Sequence, residues 1–175
     1  MGKFFAQIGE ELELFAAQCG WLDATPEAPH AQRLADKHAR PDTRSRRRRM
    51  LDDGNPPALP DVGHAHYLVA HWLSTGCCQA GLGGPIPLSA AELQAWQAGS
   101  GHHLLPWEWA LLRQMSVAYC AARQAGTEAA TPAPYDPARN APDAPAIDRQ
   151  AVEQNFRALF RNRTTTAHPA PKRSP

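Results

Sequence analysis

The sequence has few of the β-branched residues that favour strands: Val and Ile together number 7 in 175 residues. Because strands are rich in such residues, a core built mainly from a sheet is excluded. No run of 18 apolar residues is present, so we expect no membrane-spanning segment. The 17 Pro and 12 Gly must lie mostly outside helix interiors. The sequence therefore predicts a small all-α protein with extended segments between its helices.

Basic residues are missing from the middle of the chain, since residues 51–104 contain four acids and no Lys or Arg. The net charge of the whole chain is only +1, which argues against a dedicated nucleic-acid binder. The first residues lack the apolar core of a signal peptide, so we expect a cytoplasmic protein. In that compartment Cys19, Cys77, Cys78 and Cys120 are expected to remain thiols.

Composition divides the chain into four predicted parts. From the N-terminus these are a helix with a basic linker (1–50), a helical core of about three helices (51–125), a Pro/Ala-rich linker (126–146) and an amphipathic helix with a disordered tail (147–175). The first helix is predicted from Lys3 to Gln18, with Gly20 ending it in the left-handed conformation. The core holds four of the five Trp.

The core helices are predicted from apolar spacing and from the residues at their ends. The first runs from about Val62 to Ser74 with Trp72 on its apolar side, and residues 81–87 after it are predicted to be loop because they are rich in Gly and Pro. The second begins with Ser89 and Glu92, which fit a capping box.

The third core helix is predicted to begin at Pro106, where a missing N–H costs nothing, and Glu108 complements its positive end. We expect Trp96 of the second helix and Tyr119 of the third to be buried against one another's helices. Leu111 and Met115 are expected to join them in the core.

No cluster of reactive residues predicts an enzyme. The ligand types that zinc prefers are present, but no paired chelating motif is found among His64, His66, His71, Cys77, Cys78, His102 and His103. The glycines at 81–84 precede Pro-Ile-Pro instead of a Lys and a helix, so they do not form a phosphate loop. We therefore predict no catalytic residue, no metal ligand and no cofactor.

Five arginines between Arg44 and Arg49 form the strongest charge feature. They could contact phosphates without reading base sequence. The alternative is a solvated basic linker, which we favour because blocks of like charge are usually linkers or tails.

Two tryptophans in the third core helix are candidate partner-binding residues. Trp107 and Trp109 are two residues apart and cannot both face one core, so one is expected to be exposed. An exposed aromatic ring indicates a partner surface. The alternative is that another segment covers it.

A final short helix, from Asp148 to about Arg161, is predicted to be a partner-binding arm. Its apolar stripe consists of Val152, Phe156, Leu159 and Phe160. A helix this short is marginal in water, so it needs a surface to fold against. That surface is either a partner or the core of the same chain.

The central residues resemble a known family. In order they are Tyr67-Leu68, Trp72-Leu73, Gly84-Pro85-Ile86-Pro87-Leu88-Ser89, Glu92-Leu93-Gln94-Ala95-Trp96, Leu104-Leu105-Pro106-Trp107-Glu108, Leu112-Arg113-Gln114-Met115 and Ala118-Tyr119. This pattern is similar to that of the tail assembly chaperones of tailed phages and prophages. With the preceding flank, Leu51-Asp52-Asp53 and Pro56-Pro57-Ala58-Leu59-Pro60, the resemblance covers about 70 residues, and the final basic amphipathic helix also looks like the family's flank. The chain departs from the family pattern at Ala90, at Gly99-Ser100 and at Ser116.

The resemblance implies a non-enzymatic role in building the phage tail. Such chaperones keep the long, helix-prone tape measure protein soluble in the host cytoplasm, recruit tail-tube subunits to it and are absent from the mature virion. Self-association is compatible with this role, whereas a membrane or nucleic-acid partner is not expected. The competing functions are a nucleic-acid-associated protein that uses the arginine run and a minor structural component of the tail.

Overall fold

The computed structural model describes residues 3–28 and 42–140, with side chains from Gln7 to Arg139. The chain divides into two units, Met1–Arg139 and Asn140–Pro175, and the second lies outside the described residues except for Asn140. Helices dominate the described part, as the scarcity of β-branched residues predicts.

The described elements follow one another in a simple order. They are α1 (Lys3–Asp23), α2 (Arg46–Asp52), a 3₁₀ turn (Gly63–Ala65), α3 (His66–Ser74), β1 (Gln79–Gly81), β2 (Gly84–Ile86), α4 (Ala90–Ser100), α5 (Pro106–Ala125) and α6 (Pro137–Asn140). The three helices predicted between residues 62 and 126 are thus present as α3, α4 and α5.

The two long helices, α1 and α5, pack side by side and run in the same direction. Gly9 lies against Leu111, and Gly20 lies against Tyr119, eleven and eight residues further along the two helices. A Cβ atom on Gly20 would meet the carbonyl oxygen of Tyr119, so this glycine allows the two backbones to touch. The prediction that Gly20 ends the first helix was therefore wrong, because the helix continues to Asp23.

The centre of the core is Trp72 and not Trp96. Trp72 is fully buried on α3, and its ring meets that of Tyr119 edge to face at 5.5 Å between centroids. Met115 and Leu111 are buried nearby, as predicted. Trp96 is only half-buried, so the prediction that it packs in the core with Tyr119 was wrong. The physical reason is that α4 buries Leu93 and leaves its other face to solvent.

The predicted starts of α4 and α5 are confirmed. The hydroxyl of Ser89 accepts a hydrogen bond from the backbone N–H of Glu92 at 3.2 Å, and α4 begins at the next residue, Ala90. Pro106 is the first residue of α5. The carboxylate of Glu108 accepts the N–H of Leu105 at 2.8 Å, which satisfies a donor that the helix itself leaves free.

The segment predicted to be a loop contains a small hairpin. Strands β1 and β2 pair antiparallel, with Gln79 opposite Ile86 and a fully exposed Leu82 at the tip. The buried hydroxyl of Ser116 on α5 holds the ends of this segment, since it donates to the carbonyl of Cys77 at 2.7 Å and accepts the N–H of Leu88 at 2.8 Å. Gly and Pro make these strands short without preventing the pairing.

Part of the predicted linker 126–146 also lies on the helical body. The indole Nε1 of Trp21 donates to the carbonyl of Thr131 at 2.9 Å, and the N–H of Tyr135 donates to the side chain of Gln18 at 3.1 Å. These polar contacts replace apolar burial, which the Pro/Ala composition does not supply. The linker interpretation therefore does not describe the first ten residues after α5.

Replacing Gly20 by Ala tests the close packing of α1 and α5. The added Cβ would meet backbone atoms of Tyr119 that cannot rotate away, so we expect a loss of about 1–3 kcal/mol in the free energy of unfolding. Gly9→Ala is the matched control, because its Cβ would meet only the flexible end of Leu111 at 3.3 Å. We expect that variant to range from neutral to about 1 kcal/mol more stable. Urea unfolding measures both, and equal effects would contradict the packing.

Candidate partner-binding site

The first turn of α5 is held by the buried carboxylate of Glu108. Besides the N–H of Leu105, it accepts the hydroxyl of Tyr67 on α3 at 2.7 Å. Trp107 and Trp109 lie on either side of it, and both are half-buried against the core. The expectation that one of the two is exposed was therefore wrong, since both pack against the core.

A shallow, mostly apolar groove runs along the outer face of α5. It has a volume of about 470 Å³ and is lined by Trp109, Ala110, Arg113, Gln114, Val117 and Ala118 of α5 and by Glu13 of α1. Val117 is 52% exposed there. From Trp109 to Ala118 the groove spans about 13 Å of helix, or two and a half turns. Of the two predicted tryptophans, Trp109 is the one that lines it.

The remaining predicted partner-binding residues cannot be placed beside this groove. Val152, Phe156, Leu159 and Phe160 lie outside the described residues. Residues that the sequence did not suggest are Val117 and Ala110. The sequence gives little indication of these two residues, because a single exposed Val or Ala on a helix does not form a recognisable pattern.

Three rings from separate elements form a second cluster, the His–Trp–His cluster. His71 of α3 lies 4.6 Å from His102 and 5.4 Å from Trp96 of α4, measured between ring centroids. Trp96 stacks on His102 at 5.4 Å with the ring planes 19° apart. Burial, and then His102, lower the pKa of His71, while Glu108 acts in the opposite direction. The cluster ties α3 to the loop between α4 and α5.

The described histidines and cysteines do not form a metal site. Within residues 3–28 and 42–140, no group of three or more His, Cys, Asp or Glu is placed to hold an ion. All four cysteines are free thiols, and Cys19 and Cys120 are buried. Burial raises the pKa of Cys77 to about 12 and that of Cys120 to about 11, so these thiols are poor nucleophiles at neutral pH.

The arginine run forms a helix whose side chains contact the protein itself. Ser45 caps α2 by accepting the N–H of Arg48 at 3.3 Å. Four of the guanidinium groups pair with acids, namely Arg44 with Asp42 and Asp52, Arg47 with Asp23, Arg48 with Asp52 and Arg49 with Asp42. The favoured interpretation as a linker was therefore wrong, although Arg44 and Arg48 are largely exposed to solvent, as that interpretation expected. The one feature of the sequence that indicates this folded helix is the i, i+4 spacing of Arg48 and Asp52.

The fifth arginine, Arg46, joins the ends of α1 and α5. Its guanidinium carbon lies 4.4 Å from the ring centroid of Trp21 on α1. The same group donates to the carbonyls of Gly126 at 3.0 Å and Glu128 at 2.7 Å, just beyond α5. A cation at the carboxyl end of a helix is favourable, and here it also satisfies carbonyls that the helix leaves free.

Comparison with known proteins identifies no family for this chain. No protein family, curated protein or solved structure matches the chain. In the part of the chain that the structure describes, no helix combines the length and hydrophobicity that a membrane span requires.

Replacing Arg46 by Ala is expected to lower the free energy of unfolding by about 1–2 kcal/mol, because charge-assisted hydrogen bonds and a cation–π contact are lost. Arg48→Ala is the matched control, since that side chain is 68% exposed and pairs with Asp52 within α2. We expect less than about 0.5 kcal/mol for it. Urea unfolding compares the two, and equal losses would contradict the role given to Arg46.

The stability of the folded chain is expected to fall as His71 becomes protonated. Since its pKa is lowered in the folded state, the unfolded chain binds this proton more readily. The contribution is thus present above the ordinary His pKa of about 6.5 and is lost as the pH falls below it. Thermal melting at pH 7.5 and 5.5 should show a larger drop in Tm for the wild type than for His71→Gln. Equal drops in Tm for the two proteins would show that His71 does not contribute to the pH dependence of stability.

Proposed function

We propose that the chain is a tail assembly chaperone of a tailed phage or prophage. In this role it binds the tape measure protein, keeps it soluble in the host cytoplasm and recruits tail-tube subunits to it. It acts by binding alone, without a catalytic step, a cofactor or a metal, and it is absent from the mature virion. The proposal is supported by the resemblance of residues 51–119 and by the groove on α5.

The groove is the observation that carries the proposal. Its apolar lining consists of three small side chains, Ala110, Val117 and Ala118, and of the indole of Trp109. A shallow apolar groove of two to three helical turns fits the apolar face of an amphipathic helix. A tape measure protein, as the resemblance describes it, offers many such faces along its length.

Several residues that carry the resemblance hold the inner face of α5, on the opposite side of the helix from the groove. Glu108 fixes the start of α5, and Met115 and Tyr119 anchor the inner face of that helix in the core. Because the inner face is held in this way, the outer face keeps one fixed arrangement of side chains. A rigid binding face loses less conformational entropy when a partner docks.

The finer architecture that belongs to this proposal is a core of three helices with the N-terminal helix beside it. The rest of the Pro/Ala-rich linker, up to residue 146, and the segment 147–175 with its amphipathic helix and disordered tail complete it. The stripe of Val152, Phe156, Leu159 and Phe160 is proposed as a second contact for the same partner. Two linked contacts raise the effective affinity for a long chain that offers repeated apolar faces.

The alternative function, phosphate binding by the arginine run, has less support. Every arginine from Arg46 to Arg49, and Arg44 as well, already contacts an acid or a carbonyl of this chain. Nucleic acid would have to displace these partners. A minor structural role in the tail would use the same groove and differs only in whether the chain stays in the virion.

The proposed function is tested by co-expression with the very long helical protein that we expect to be encoded immediately downstream. The wild-type chain should keep that protein soluble and should be recovered with it. Val117→Asp places a charge in the apolar lining of the groove, so we expect it to reduce the recovered complex at least about tenfold, as a lost hot-spot contact does.

Leu82→Asp is the matched control. Leu82 is an apolar residue fully exposed at the tip of the hairpin, outside the groove and outside the residues that carry the resemblance. This variant should behave like the wild type, and both variants should melt at nearly the wild-type temperature. If the wild type leaves the long protein insoluble, the proposed function is wrong. If Val117→Asp solubilises it fully, the binding surface is not the groove.

A further inference from the structure

Opposite charges flank the two sides of the groove on α5. Successive residues of a helix are rotated by about 100°, which places Arg113 far around α5 from Leu111. Leu111 is the residue that meets Gly9 of α1, so Arg113 lies on the side away from α1. Glu13 belongs to α1 itself and lines the other side. The apolar lining between them includes Ala110 and Val117.

The two charges are held apart and remain available to a ligand. No ion pair within 4 Å joins Glu13 to Arg113 among the described residues. The guanidinium carbon of Arg113 lies 5.5 Å from the ring centroid of Trp109, which keeps it on its own side of the groove. Glu10, exposed and one turn before Glu13, extends the acidic side. A helix lying in the groove would therefore meet acid on one flank and a cation on the other.

We infer that the groove binds an amphipathic α-helix in one direction, with a basic flank along Glu13 and an acidic flank along Arg113. This inference rests on the proposed function and names the chemistry of its partner. Turning a helix end for end while its apolar face stays on the apolar lining exchanges its two flanks. For a helix with one basic and one acidic flank, the charges of the groove therefore select the direction of binding.

The test uses two synthetic 18-residue helical peptides with the same apolar face. One has Lys on the first flank and Glu on the second, and the other has the two exchanged. Each carries a nitroxide label at its N-terminus and is added to the full isotope-labelled chain. Because α5 is about 30 Å long, a label near one end broadens the NMR signals of Trp107 or of Ala125 but not both.

The two peptides are expected to broaden opposite ends of α5. The double variant Glu13→Lys, Arg113→Glu should exchange the two patterns, because it exchanges the flanking charges. Peptides with Lys on both flanks or Glu on both flanks should bind about two- to fivefold more weakly, the range for one exposed ion pair. The single variant Gln114→Ala alters the groove without altering its charge. It should bind each peptide in the same direction as the wild type does.

Three results would overturn the inference. Both peptides could broaden the NMR signals at the same end of α5, the double variant could give the same broadening patterns as the wild type, or no peptide could bind. These results are separate from the failure of the proposed function. The chaperone function fails only if the wild type leaves the long downstream protein insoluble on co-expression. A chain that solubilises that protein but binds both peptides without a preferred direction retains its function and loses the directional groove.

Discussion

The contact of α1 with α5 at Gly20 is the constraint on which the rest of the described structure depends. Only a residue without a side chain lets α1 approach the carbonyl of Tyr119 so closely. At that separation Asp23, the last residue of α1, accepts the hydroxyl of Tyr119 at 3.1 Å and the guanidinium of Arg47 at 2.8 Å. One carboxylate thus joins three helices. A wider spacing would break these bonds, which the half-buried carboxylate of Asp23 makes to two other helices.

Local chemistry made part of this fold predictable. The cap at Ser89, the start at Pro106 and the acid at Glu108 each depend on neighbours within four residues, and each was predicted correctly. Ser116 and Gly20 were not, because their partners lie far away in sequence. A serine in a helix and a glycine near a helix end have ordinary local explanations. Nothing in their neighbours reveals that one holds a hairpin and the other admits a backbone.

In the candidate site, too, only features that depend on neighbouring residues could be predicted from the sequence. Trp107 and Trp109 became candidates through their spacing, a local observation that did not distinguish between them, and the exposure expected of one was wrong. That Trp109 shares a groove with Glu13 follows from the register between α1 and α5, which no short pattern encodes. The arginine run shows the opposite error. Its composition favours a solvated segment, yet Asp23, Asp42 and Asp52 supply enough acid to fold it onto the protein. Through Arg46 and Arg47 the run contacts the carboxyl ends of α1 and α5, the two helices that line the groove.

The parallel pairing of α1 and α5 has a consequence for synthesis on the ribosome. The partner of Gly9 is Leu111, and that of Gly20 is Tyr119, so about one hundred residues separate the two surfaces along the chain. During translation at about 5–20 residues per second, the apolar face of α1 waits at least several seconds before α5 emerges. Throughout that interval the nascent chain presents Leu12, Phe15 and Leu22 without their final neighbours. Whatever it binds once folded, the chain thus exposes an apolar helix face of its own during synthesis.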